Sequence, residues 1–118
     1  MYVDGFVLPV PKKSKQAYLR MARKAGKVWR EHGALDYVES VADDVKPGKH
    51  TSFPQSVKLK SGEVVWFSWI VYKNRKHRDG VLAKVMKDPR ITSMMDPKSM
   101  PFDGKRMFYG GFKVMINL

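Results

Sequence analysis

The sequence predicts an α+β domain with the strand–helix–strand–strand–helix–strand order of the ferredoxin-like fold. Three observations carry this. The segment Glu63–Tyr72 is strand-like and apolar on both faces. Residues 12–32 and 74–87 carry helical apolar spacing, and strand-like segments alternate with them in the βαββαβ order. The length, 118 residues, suits a single domain over 1–118 and leaves no room for two full cores. A four-stranded antiparallel sheet with two helices on one face follows. The other face is then left for a second copy of the chain, giving a dimeric α/β-barrel.

The first strand spans residues 2–10, mixing aromatic and β-branched residues until Pro9 and Pro11 stop the ladder. In the first helix, residues 12–32, Ser14 is the expected N-cap and Gly33 the stop. Its apolar stripe is Tyr18, Met21, Ala22, Ala25, Val28 and Trp29. The second strand, residues 34–45, sets Leu35, Tyr37, Glu39 and Val41 on one face. A loop with Pro47-Gly48 follows, then a short extended segment at 55–60 and a Ser61-Gly62 turn.

In the third strand, Val64, Trp66, Ser68, Ile70 and Tyr72 alternate with Val65, Phe67, Trp69 and Val71. A strand with one wet face alternates apolar with polar residues. This one needs cover on both sides, and two helices supply only one. Asn74 caps the second helix, with Val81, Leu82, Val85 and Met86 inward. Asp88-Pro89 starts a short extra turn. The last strand covers 106–116, and its Gly110-Gly111 marks a bulge or a close backbone approach.

Composition narrows the function classes. There is no cysteine, so disulfides, thiolate metal sites and a cysteine nucleophile are excluded. A cytoplasmic location is expected. No signal peptide or membrane span is expected. The three histidines fall in separate elements without ligand spacing, so no metal site is expected, and nothing calls for a cofactor. Phosphate-loop, nucleophile-elbow and dinucleotide motifs are absent. The net charge of +12 favours polyanions, through the row Lys15, Arg23, Lys27 and Arg30.

Several segments together resemble the YbaA-like family of short bacterial proteins. They are Phe6-Val-Leu-Pro-Val-Pro11, His32-Gly-Ala-Leu-Asp-Tyr-Val-Glu39, Val65-Trp-Phe-Ser-Trp-Ile-Val-Tyr72, His77-Arg-Asp79, Asp88-Pro-Arg90, Met100-Pro-Phe-Asp-Gly-Lys-Arg-Met107 and Gly110-Gly-Phe112. The resemblance spans nearly the whole chain and implies the dimeric α/β-barrel fold. It brings no assigned catalytic residue. The wider fold group holds monooxygenases, haem-degrading enzymes, isomerases and ligand-binding regulators, and fold alone does not choose among them.

Candidate catalytic residues are Glu39, His77 and Arg106. Glu39, on an apolar strand face, would have a raised pKa and could serve as a base; the competing reading pairs it with Arg78 or Arg106. Histidine as a residue type suits proton transfer, which makes His77 a candidate, against a solvated first helical turn in His77-Arg78-Asp79. Candidate ligand-binding residues are Trp66, Arg78 and Asp103. Trp66 lines a pocket for a flat apolar ligand or simply packs. Asp103 lies in the loop 102–106, whose Lys105 and Arg106 suit an anionic group or a tight turn. Three functions compete: a small-molecule site between sheet and helices, nucleic-acid binding by the basic helix, and a structural homodimer without ligand.

Overall fold

A computed structural model describes all residues, 1–118. The strands are β1 (Tyr2–Pro11), β2 (Asp36–Val41), β3 (Glu63–Tyr72) and β4 (Phe108–Lys113). The helices are α1 (Lys15–Glu31), α2 (Phe53–Ser56), α3 (Arg75–Val85) and α4 (Pro89–Thr92). The strands form one antiparallel sheet in the order β2-β3-β1-β4. The two longer helices lie on one side of it, as the βαββαβ reading requires.

Apolar side chains set the layers. Leu8, Val10 and Trp66 of the sheet pack on Tyr18 and Ala22 of α1 and on Phe102. Ile70 and Tyr72 pack on Val28 of α1, Val81 and Val85 of α3 and Ile91 of α4. On the opposite face Val7 and Val65 are covered by Val57, just after α2. The rest of that face is open: Phe67, Phe108 and Phe112 are 42%, 47% and 65% exposed. No helix is long and apolar enough to cross a membrane.

Local chemistry explains where the elements depart from expectation. β1 continues through Pro9 and ends at Pro11. Pro9 pairs with Val65 of β3, whereas β4 reaches only as far as Val7, so the missing N–H interrupts no ladder on that side. Ser14 does not cap α1 through its side chain, because a 3-10 turn at Lys12–Ser14 already leads the chain into the helix. Gly33 stops it, with φ +117°. β2 is shorter than 34–45, since the acids at 43–44 and Pro47-Gly48 draw the chain off the sheet. The 55–60 segment is not extended. Ser52 and Gln55 form a capping pair, with Ser52 Oγ accepting from Gln55 N–H, and Pro54 fits the first turn of α2.

Asn74 and Asp88 cap α3 and α4 as expected. β4 is shorter than 106–116, because Asp103 caps a 3-10 turn over Gly104–Arg106 before it. Gly110 and Gly111 make no bulge, since they pair in register with Gly5 and Asp4. Close approach is the reason for Gly111: a Cβ there would strike Tyr2 Oη and stand 2.6 Å from Arg78 Nη2.

Candidate functional site

Glu39 belongs to the edge strand β2, opposite Ser68 of β3. Alternation turns its side chain toward the helix layer. Tyr18 Oη, from α1, donates to Glu39 Oε1 at 2.7 Å. Tyr37 Oη, two residues away on the same strand face, donates to Oε2 at 3.1 Å. No arginine or lysine pairs with this carboxylate; both cations proposed for it lie elsewhere. Burial raises the Glu39 pKa, and the two hydroxyl donors only partly oppose that. The same burial, with the carboxylate beside them, pushes the Tyr18 and Tyr37 hydroxyls up. They remain donors throughout the physiological range.

Two hollows meet at this carboxylate. One, of about 130 Å³, lies between sheet and helices, walled by Phe6, Met21, Trp29, Ile70 and Phe102, with Glu39 and Ser68 as polar members. A cavity of about 150 Å³ holds a benzene ring, so the space suits a ring-sized group. The other, of about 600 Å³, is an open groove between α1 and β2, and it shares Ala22, Tyr37 and Glu39 with the first. Small residues on α1 let helix and strand approach here. A Cβ on Gly26 would stand 2.8 Å from the Tyr37 ring.

Of the six candidates, only Glu39 lines the interlayer hollow. His77 Nδ1 accepts from Lys73 N–H, and its ring meets the Tyr72 ring edge-on. Arg78 donates to Tyr2 Oη at 3.0 Å, with Nε 3.8 Å from Asp4 and 3.3 Å from Asp79. Arg106 grips Glu63 with both terminal nitrogens, at 2.7 and 2.6 Å, and Asp103 with Nε at 3.0 Å. It also donates to the Val57 and Lys58 carbonyls, latching the 53–60 segment to the sheet. Those bonds hold the Glu63 and Asp103 carboxyls below their ordinary range. Trp66 is buried against Tyr18, ring centres 4.8 Å apart.

Sequence reasoning missed a more deeply buried acid. Asp4 on β1 is 5% exposed, and burial raises its pKa although Arg78 opposes this. The Tyr72 hydroxyl, on the neighbouring strand, accepts from Trp29 Nε1 at 3.1 Å. The signal was the one that found Glu39: an acid sharing alternation with Phe6 and Leu8.

The family described as "Protein of unknown function (DUF1428)" matches residues 1–104. The uncharacterized protein YbaA of Escherichia coli is 50% identical over 116 residues, 98% of this chain and 97% of that one. YbaA of Shigella flexneri matches to the same extent. Two solved structures share the fold. An uncharacterized NIPSNAP domain protein from Burkholderia xenovorans aligns with TM-score 0.57 at 11% identity, over 98% of this chain and 95% of that one. Protein Atu4242 from Agrobacterium tumefaciens aligns with TM-score 0.56 at 16% identity, over 96% and 92%. These two likenesses speak for the ferredoxin-like architecture and nothing finer. With half its residues shared with YbaA and the family matched through the last helix, the chain belongs to the DUF1428 family.

Proposed function

We propose that the hollow between sheet and helices is a small-molecule site and that Glu39 is its polar anchor. One observation carries the reading: a half-buried carboxylate faces an apolar hollow and is held only by two tyrosine hydroxyls. An ionised group taken from water without a cation costs stability. Acids with raised pKa in clefts concentrate at functional sites for that reason. The ligand this site suits is ring-sized and mainly apolar, with one O–H or N–H that Glu39 can accept. The chain acts here as one domain over 1–118, and its lack of cysteine supports a cytoplasmic setting.

Phenol and toluene are suitable probes, followed by ligand-observed NMR. Wild type should bind phenol more tightly than toluene. Glu39→Gln should lose about tenfold for phenol, or about 1.4 kcal/mol, and leave toluene unchanged. If Glu39→Ala binds phenol as wild type does, or if neither probe binds, the reading is wrong.

The open sheet face supports a homodimer. Along its strands Val3, Gly5, Val7, Phe67, Trp69 and Phe112 border a concave surface of about 580 Å³ with no charged side chain. The cationic helix α1 lies on the other layer, so two copies meeting sheet to sheet keep their basic faces apart. A self-complementary apolar patch of this kind is what a two-fold interface buries.

A further inference from the structure

The net charge is not spread evenly over this molecule. Residues 12–30 hold eight of the 23 lysines and arginines and none of the 11 acids. Arg20, Arg23, Lys24 and Lys27 are all exposed on the outer side of α1. None of them pairs with an acid, and neither do Lys12, Lys13 and Lys15. The four line a shallow hollow of about 320 Å³ with Arg90 of α4 and Glu31. Glu31 is the one acid there, and Arg90 Nη2 holds it at 2.7 Å. Four like charges within two helical turns repel one another. No ion pair within the chain relieves the repulsion.

We infer that the outer face of α1 binds the phosphate backbone of duplex nucleic acid without reading its sequence. This reading does not depend on the interlayer hollow at Glu39, which none of the four cations lines, although Arg23 and Lys27 also border the open groove beside it. Charge complementarity is direct. Arg20 to Lys27 spans about 10 Å of helix, set against about one phosphate per 1.7 Å of duplex axis. Two of the four are arginines, whose planar forks match phosphate oxygens in pairs. The face also tells duplex from single strand. Tyr18 and Trp29, the aromatics of α1, turn inward to Trp66 and Tyr37. That leaves no ring on which unpaired bases could stack. Nor does the face present an apolar residue for insertion among lipid chains, since the apolar stripe of α1 is packed on the sheet.

The test is fluorescence anisotropy with a short mixed-sequence DNA duplex and the matching single strand, on the full chain. About four phosphate contacts give a log–log salt slope near −3 to −4, so affinity should fall about a hundredfold between about 50 and about 200 mM salt. The duplex should bind more tightly than the single strand. A variant with Arg20, Arg23, Lys24 and Lys27 all changed to Gln should bind at least tenfold more weakly and lose most of the slope. A second variant, with Lys46, Lys49, Lys98 and Lys113 changed to Gln, has the same net charge and should bind within threefold of wild type. Circular dichroism melts of both variants check that they fold. Equal weakening by the two variants would assign the effect to net charge and overturn the proposal. No duplex binding at the lower salt would also overturn it. Vesicles of phosphatidylcholine with phosphatidylserine should bind more weakly than the duplex at equal phosphate; tighter vesicle binding would overturn the nucleic-acid assignment.

Discussion

A carboxylate held by hydroxyls alone leaves a distinctive mark on stability against pH. The folded-state pKa of Glu39 is raised by burial, so between its unfolded value, near 4.5, and that raised value the native state holds the proton more often. Its contribution is therefore complete below the unfolded value and is lost as pH rises through the folded one. Glu39→Gln removes this dependence. In urea unfolding, the stability of the variant relative to wild type should increase from about pH 4 to about pH 7; a constant difference would show that Glu39 does not titrate with folding. The acids held by arginines, Glu63 and Asp103, work in the opposite direction and are common to both proteins. Glu39 itself was readable from sequence, because alternation alone set it on an apolar face. Its partners were only half readable. Tyr37, two residues earlier, shares the face by rule. Tyr18 comes from another element, and spacing along a chain does not say which helix turn meets which strand position. The expected arginine partner was wrong for the same reason, since Arg106 is spent on latching the 53–60 segment.

Two helical glycines separate packing from propensity. Gly80 in α3 has open space where a Cβ would go, so Gly80→Ala should stabilise by about 0.5–1 kcal/mol. Gly26 in α1 faces the Tyr37 ring, where a Cβ would force the ring to move. Overpacking costs about 1–3 kcal/mol against a propensity gain of about 1, so Gly26→Ala should destabilise. Denaturation midpoints that rose for both variants would refute the close packing of α1 on β2. The sequence treats these glycines alike, because what distinguishes them is the neighbouring element. Where a local pattern is self-contained it was legible: β3 runs Glu63–Tyr72 as expected, and Asn74 and Asp88 cap their helices. The helical turn at α2 was misread as a loop running into an extended segment at 55–60, because Pro47, Gly48 and Pro54 outweighed the Ser52–Gln55 capping spacing.

For the whole molecule, the two layers divide the chemistry: an apolar sheet face on one side, a cationic helix on the other. Sedimentation should give a mass of about twice 13.6 kDa. Phe112 is exposed in the single chain, so Phe112→Glu should yield a folded monomer whose melting temperature, unlike that of the wild type, does not rise with protein concentration. A monomeric wild type, or a dimeric Phe112→Glu variant, would remove the interface from the sheet face. The order β2-β3-β1-β4 also constrains how the chain is made. Its first strand sits in the middle of the sheet and pairs only with β3 and β4, more than fifty residues later. β2 likewise pairs with nothing but β3. A nascent chain leaving the ribosome can therefore form α1 at once, while Tyr2–Pro11 and Asp36–Val41 wait unpaired until Tyr72 has emerged. Such long-range closure slows folding, and until it happens the unpaired edges of both strands are open to association with other chains.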